Sequence, residues 1–193
     1  MHSAFIHNQY LLKRQVLALT GKFRLYDPNG LLVLYGQQKI FKLKEDIRLF
    51  SDESMSQALL HIQARQIIDF SAAYDVFDPI YNSQVGTLRR KGFRSFLRDQ
   101  WDVLDSQEQP LGVLLEDNPT RAFLRRLLLG TLLPQDYDLF IGEQKVADFK
   151  QRFNILRYDM DLDFSLDTTK QLDRRIGIAA AILLGTIEGK QHS

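Results

Sequence analysis

The sequence predicts a mainly β fold with one central helix: a closed antiparallel barrel of about twelve strands enclosing a hydrophobic C-terminal α-helix. It predicts a single domain, 1–193, with its core at roughly 10–189. Two observations carry this expectation. Alternating, turn-flanked segments repeat along the chain, as strands joined by hairpins do. The one segment that is apolar on every side comes last.

The strand pattern begins at Tyr10 and runs to Ile47. Phe23-Arg24-Leu25-Tyr26 alternates apolar and basic residues, and Leu31 to Tyr35 resumes as a strand. Between them, Asp27-Pro28-Asn29-Gly30 is a strong turn signal, because Pro presets one dihedral and Asn-Gly accepts positive φ. Tyr74 to Asp78, followed by Pro79 and Asn82 and then Val85 to Leu88, repeats that hairpin. In each copy a Lys-x-Phe step follows, Lys39-Ile40-Phe41 and Lys91-Gly92-Phe93. An acid-led apolar strand comes next, Asp46 to Phe50 and Asp99 to Leu104. A shorter third copy starts at Asp138-Leu139-Phe140-Ile141-Gly142 and runs through Phe149 to Phe153. Three units of roughly four strands give about twelve.

A short helix is expected near 119–129, with Asn118 as N-cap, Pro119 in its first turn and Gly130 as C-cap. Arg121 and Arg125 share one of its faces, so it suits a membrane surface or a cover over an open barrel end; the cover is the favoured reading.

The last element is the apolar run from Ile176 to Ile187, too short to cross a bilayer as a helix. At helical spacing Ile176, Ile178, Ile182, Leu183, Leu184 and Ile187 spread almost right round the axis. Gly177, Ala181 and Gly185, spaced by four, fill the remaining sector and allow one wall to come close. A barrel of about twelve strands is too wide for its own side chains to fill. This helix is the one available filler.

Composition narrows the function classes. Hydrophobic content of 45% and charged content of 25% are ordinary for a globular protein. A net charge of +1 gives no reason to expect a nucleic-acid partner. The absence of cysteine excludes a disulfide framework, thiol catalysis and cysteine metal sites. Met1 to Tyr10 holds no apolar run of signal-peptide length, so secretion by that route is not expected.

This order of motifs resembles the tubby-like C-terminal superfamily, which includes phospholipid scramblases and LURP-one-related proteins. The resemblance rests on the Asp-to-Gly hairpins at Asp27 to Gly36 and Asp78 to Gly86. It rests also on the basic strand end Leu88-Arg89-Arg90-Lys91 before Asp99-Gln100-Trp101, and on the acidic lead-in Asp159 to Phe164 before Ile176. It covers roughly Tyr10 to Gly189. It implies a twelve-stranded barrel around a hydrophobic helix, and binding of phosphoinositides or anionic phospholipid through surface Lys and Arg. The membrane-associated features of scramblases are absent, so the resemblance implies lipid binding rather than scrambling.

The densest basic cluster is Arg89, Arg90, Lys91, Arg94 and Arg98, interleaved with Phe93, Phe96 and Trp101. It suits anionic headgroups or phosphate, and equally a solvated strand end with core aromatics. Asp159, Asp161 and Asp163 resemble the start of a calcium loop, but Phe164 and Lys170 stand where that loop needs Gly and Glu. The alternation fits the wet face of a strand instead. No metal site or cofactor is expected. The histidines His2, His7, His61 and His192 form no ligand-spaced pair, and no nucleophile elbow, P-loop or dinucleotide fingerprint occurs. The expected function is therefore non-enzymatic. The chain is read as a cytoplasmic module, peripheral to a membrane, whose partner is anionic lipid or phosphoinositide. The alternative is a protein-interaction or structural domain with no lipid ligand.

Overall fold

The computed structural model describes residues 1–15, 20–39, 46–65, 72–91, 100–117, 134–154 and 157–191. Twelve strands follow one another as β1 (Gln9–Gln15), β2 (Thr20–Tyr26), β3 (Leu32–Lys39), β4 (Asp46–Phe50), β5 (Ala58–Ala64), β6 (Ala73–Asp78), β7 (Ser83–Arg90), β8 (Gln100–Leu104), β9 (Pro110–Glu116), β10 (Asp136–Ile141), β11 (Gln144–Arg152) and β12 (Arg157–Asp163). Each pairs antiparallel with its neighbours in sequence, and β12 closes on β1. Helix α1 (Arg174–Gln191) then runs up the lumen. The expected helix near 119–129 lies outside the described residues.

The repeat has a simpler unit than the sequence pattern suggested. Strands β2, β4, β6, β8 and β10 each carry a register shift close to their ends, at Leu25/Tyr26, Leu49/Phe50, Val76/Phe77, Val103/Leu104 and Leu139/Phe140. Bulges of this kind add twist and curl a sheet towards closure. After four of them comes an aspartate whose carboxylate accepts the amide two residues on: Asp27 from Asn29 at 2.9 Å, Asp52 from Ser54 at 2.8 Å, Asp78 from Ile80 at 2.8 Å and Asp105 from Gln107 at 2.8 Å. The fifth turn uses Gly142 at φ +58°. The unit is thus one bulged hairpin, and each sequence repeat contains two.

Because the strands alternate in direction, all five of these turns lie at one end of the barrel, the turn end. The other strand ends and the C-terminus of α1 lie at the opposite, loop end. Phe5, in a short 3-10 turn (Ser3–Phe5), is buried with Ala4, so the core starts earlier than the expected Tyr10.

The helix is enclosed as its composition requires. Ile176, Ile178, Ala181, Ile182, Leu183 and Leu184 are all at most 2% exposed. The side chain of Ile187 lies outside the described residues. The small-residue seam faces an aromatic wall. A Cβ on Gly177 would lie 2.8 Å from Phe164 Cζ, and one on Gly185 would lie 3.1 Å from Tyr158 Cε1. On another side Gly86 of β7 admits Ile176, whose Cδ1 would be 2.8 Å from a Cβ there. Phe164 cannot easily retreat. It packs edge-on against Tyr10 and Phe149, and Arg174 lies 4.8 Å over its ring. Gly177→Ala should therefore cost about 1–3 kcal/mol, the range for overpacking a filled core. A chemical melt with a midpoint equal to that of the wild type would contradict it.

Two ion-pair sets fix the start of α1 in the turn-end mouth. Arg174 donates to Asp167 at 2.7 Å, to the Leu172 carbonyl at 3.1 Å and to Asn8 Oδ1 at 3.3 Å. Arg175 pairs with Asp78 of the β6–β7 turn and with Asp173 at 2.5 Å. Asp173 also accepts the Arg175 amide at 2.9 Å. Cations at a helix N-terminus oppose its dipole, and these carboxylates compensate for that.

Candidate functional site

The sequences that connect the strands differ in charge between the two ends of the barrel. The turns at 27–31, 51–57, 79–82, 105–109 and 142–143 contain Asp27, Asp52, Glu53, Asp105, Glu108 and Glu143, and no Lys or Arg. The sequences joining strand ends at the loop end, 40–45, 66–72, 91–99 and 117–135, contain Lys42, Lys44, Lys91, Arg94, Arg98, Arg121, Arg125 and Arg126; Arg65, just before 66–72, pairs with Glu108 of a turn. These sequences hold only Glu45, Asp69, Asp99 and Asp117 against those bases. The β7–β8 and β9–β10 connections, which carry the two basic segments singled out from sequence, join strands at the same end of the barrel.

Within the basic cluster, strand alternation divides the described members. Arg90 shares the face of Leu88 and lies over the ring of buried Trp101, 5.9 Å from its centroid. Arg89 and Lys91 point to the outer face; Arg89 is opposite Asp102 in register, and Lys91 Nζ pairs with Asp102 at 2.9 Å. The pair is partly exposed, with Lys91 at 47% and Asp102 at 27%. Phe93, Arg94, Phe96 and Arg98 lie outside the described residues. Of the proposed binding residues, Arg89 and Lys91 thus share one outer face, and Arg90 is used against the core.

A network on the outer wall lies below this patch. Arg65 donates to Asp75 at 2.7 Å and to Glu108 at 2.6 Å, while the Thr87 hydroxyl donates to Asp75 at 2.9 Å. The hydrogen bonds to Asp75 and Glu108 hold the Arg65 guanidinium well above its usual pKa, and Arg65 holds Glu108 below the usual carboxylate range.

One cation escaped the sequence reading. Arg14 is 4% exposed and lies inside the barrel, 5.4 Å over the Phe23 ring. Its Nη1 donates to the Gly185 carbonyl of α1 at 2.8 Å, and its Nε has no partner. Burial pushes its pKa below the ordinary arginine value. Arg14 thus ties β1 to the C-terminal half of α1. Alternation alone points to it, since Tyr10 and Leu12 face inward and Arg14 is next in that series.

Asp159, Asp161 and Asp163 lie along β12, as the strand reading expected. Asp161 makes a two-point pair with Arg152 at 2.7 and 2.6 Å, and Asp163 accepts the Ser165 amide at 2.8 Å. Asp159 is buried and keeps one unpartnered oxygen. Among the described residues no group of three His, Cys, Asp or Glu side chains is arranged to hold a metal, and no helix is long and apolar enough to cross a membrane.

Comparison with known proteins agrees with the architecture. A protein from Arabidopsis thaliana solved by X-ray crystallography superposes with a TM-score of 0.50 at 15% identity, covering 98% of this chain and 95% of that one. That likeness concerns the fold. No curated protein matches. The sequence profile of the LURP-one-related family matches residues 32–185, from β3 to the seam of the central helix. With most of its barrel and its enclosed helix inside that match, the chain belongs to the LURP-one-related family, within the tubby-like C-terminal superfamily.

Proposed function

We propose that this protein is a non-enzymatic, cytoplasmic module that binds anionic phospholipid or phosphoinositide headgroups with the loop end of its barrel. The observation that carries the reading is the difference in charge between the connecting sequences of the two ends. The half-buried Arg89 and the exposed Lys91 lie at the end whose connecting sequences are rich in Lys and Arg, while the charged residues of the hairpin turns at the other end are acids. Such a difference favours approach to an anionic surface with the basic connections first. A lumen packed with the side chains of α1 supports binding rather than turnover.

Co-sedimentation with vesicles tests it. Vesicles containing phosphatidylserine or a phosphoinositide should bring the protein down and neutral vesicles should not, and binding should weaken as salt rises. Arg89→Gln with Lys91→Gln should reduce partitioning about 30-fold, at about 1 kcal/mol for each base near the surface. The thermal midpoint should hardly move, because an exposed ion pair contributes at most about 1 kcal/mol. Unchanged binding in the double variant would remove this patch. Failure of the wild type to bind any vesicle would favour a protein-interaction domain with no lipid ligand.

A further inference from the structure

We propose that the half of the turn end formed by the β2–β3, β4–β5 and β6–β7 turns is a docking surface for a basic amphipathic segment of another protein. These three turns present large apolar side chains to solvent: Leu31 is 64% exposed, Met55 41%, Ile80 43% and Tyr81 65%. Neighbouring strands are about 4.8 Å apart, so successive turns, two strands apart, are spaced about 10 Å along the rim. The three turns together span about 20 Å, the length of a helix of roughly 13 residues.

The turns do not need these side chains to form. Their backbone amides are satisfied by Asp27, Asp52 and Asp78. Met55 is held in the left-handed region, at φ 56°, where a side chain is disfavoured. An exposed methionine and tyrosine are residue types that interfaces favour, methionine because it adapts to irregular surfaces.

Charge selects the occupant. Asp52 and Glu53 sit on the middle turn, and none of the three turns holds a Lys or Arg. The nearby cation Arg24 pairs with Glu53 at 2.7 Å and offsets its charge, so Asp27 and Asp52 carry the negative charge of these turns. An anionic membrane is repelled from such a surface, and a symmetric second copy would set acid against acid. A partner segment with an apolar stripe flanked by Lys or Arg satisfies both features. This inference does not depend on lipid binding at the opposite end.

The test uses the full chain and a fluorescently labelled helical peptide of Leu and Lys, about 14 residues long with its lysines on one face. The control is the same peptide with Glu for Lys. The Leu–Lys peptide should bind, more weakly at high salt, and the Leu–Glu peptide should not. Leu31→Ser with Tyr81→Ser, at unchanged charge, should weaken binding at least about tenfold. Asp52→Asn with Glu53→Gln should weaken it and flatten its salt dependence. Arg89→Gln with Lys91→Gln should leave it as in the wild type, and all variants should keep the wild-type thermal midpoint. Equal binding of the two peptides would overturn the proposal, as would turn variants that bind normally. So would a hydrogen-exchange footprint away from 27–31, 51–57 and 79–82. Self-association of the protein that these turn variants abolish would assign the surface to a second copy and overturn it as well.

Discussion

A chain that ends at Arg175 should not fold cooperatively. Truncation there removes Ile176, Ile178, Ile182, Leu183 and Leu184, each at most 2% exposed. At about 1.5–3 kcal/mol per side chain, their burial contributes roughly 8–15 kcal/mol, an upper bound because unfolded chains already bury part of this surface. Typical net stability is about 5–15 kcal/mol. The loss also strands a group that the helix satisfies, because the Arg14 guanidinium loses the Gly185 carbonyl. The emptied lumen cannot be refilled, because twelve strands are too many to collapse onto their own side chains. The truncated chain should be insoluble, or should bind a hydrophobic dye and show no sharp thermal transition. A soluble product with a cooperative melt would mean that the strands close without the helix, and α1 would then have to be reassigned as a tail.

Much of this architecture was legible because it rests on local rules. Apolar residues all round a segment too short for a membrane require enclosure, and the burial of Ile176 to Leu184 follows. The Asp-to-Gly hairpins were legible because turn chemistry is written in adjacent residues. The true period was harder to see. Asp52 and Asp105 start turns of the same kind as Asp27 and Asp78, but neither is followed by the proline that made the other two conspicuous. The basic cluster was legible as composition and not as a surface. A run of consecutive bases on a strand must alternate between faces, so Arg89 and Lys91 point outward while Arg90 lies against Trp101. Pairs made by the path of the chain rather than by adjacent residues were not legible at all. Nothing local to Asp167 or Arg174 says that they meet in the mouth of the barrel beside Asn8, because that depends on the reversal of the chain between β12 and α1.

That pair should give the largest single-residue effect among the polar groups, and it should depend on pH. The Asp167 side chain is fully buried and that of Arg174 is 7% exposed. Burial alone would raise the Asp167 pKa. Arg174, with the amides of Gln171 and Leu172, outweighs this and holds it below the usual carboxylate range. Asp167→Asn keeps the size and one acceptor but leaves the Arg174 cation uncompensated, which should cost about 3–5 kcal/mol at pH 7. For a chain of this size that lowers the midpoint by roughly 6–20 °C. The sign with pH follows from the lowered pKa. The stabilisation is complete above the unfolded carboxylate value of about 3.9 and is lost as pH falls through the lower folded value. The difference between wild type and Asp167→Asn should therefore be constant from pH 7 to about 5 and should shrink below pH 4. Adding Arg174→Met to Asp167→Asn removes the stranded charge and should recover part of the loss, because a buried ion pair replaced on both sides is often tolerated. Denaturant melts of the two single variants and the double variant close the cycle. A double variant as unstable as the sum of the singles would show that the two side chains act separately, and that the start of α1 is held by Arg175 and Asp78 alone.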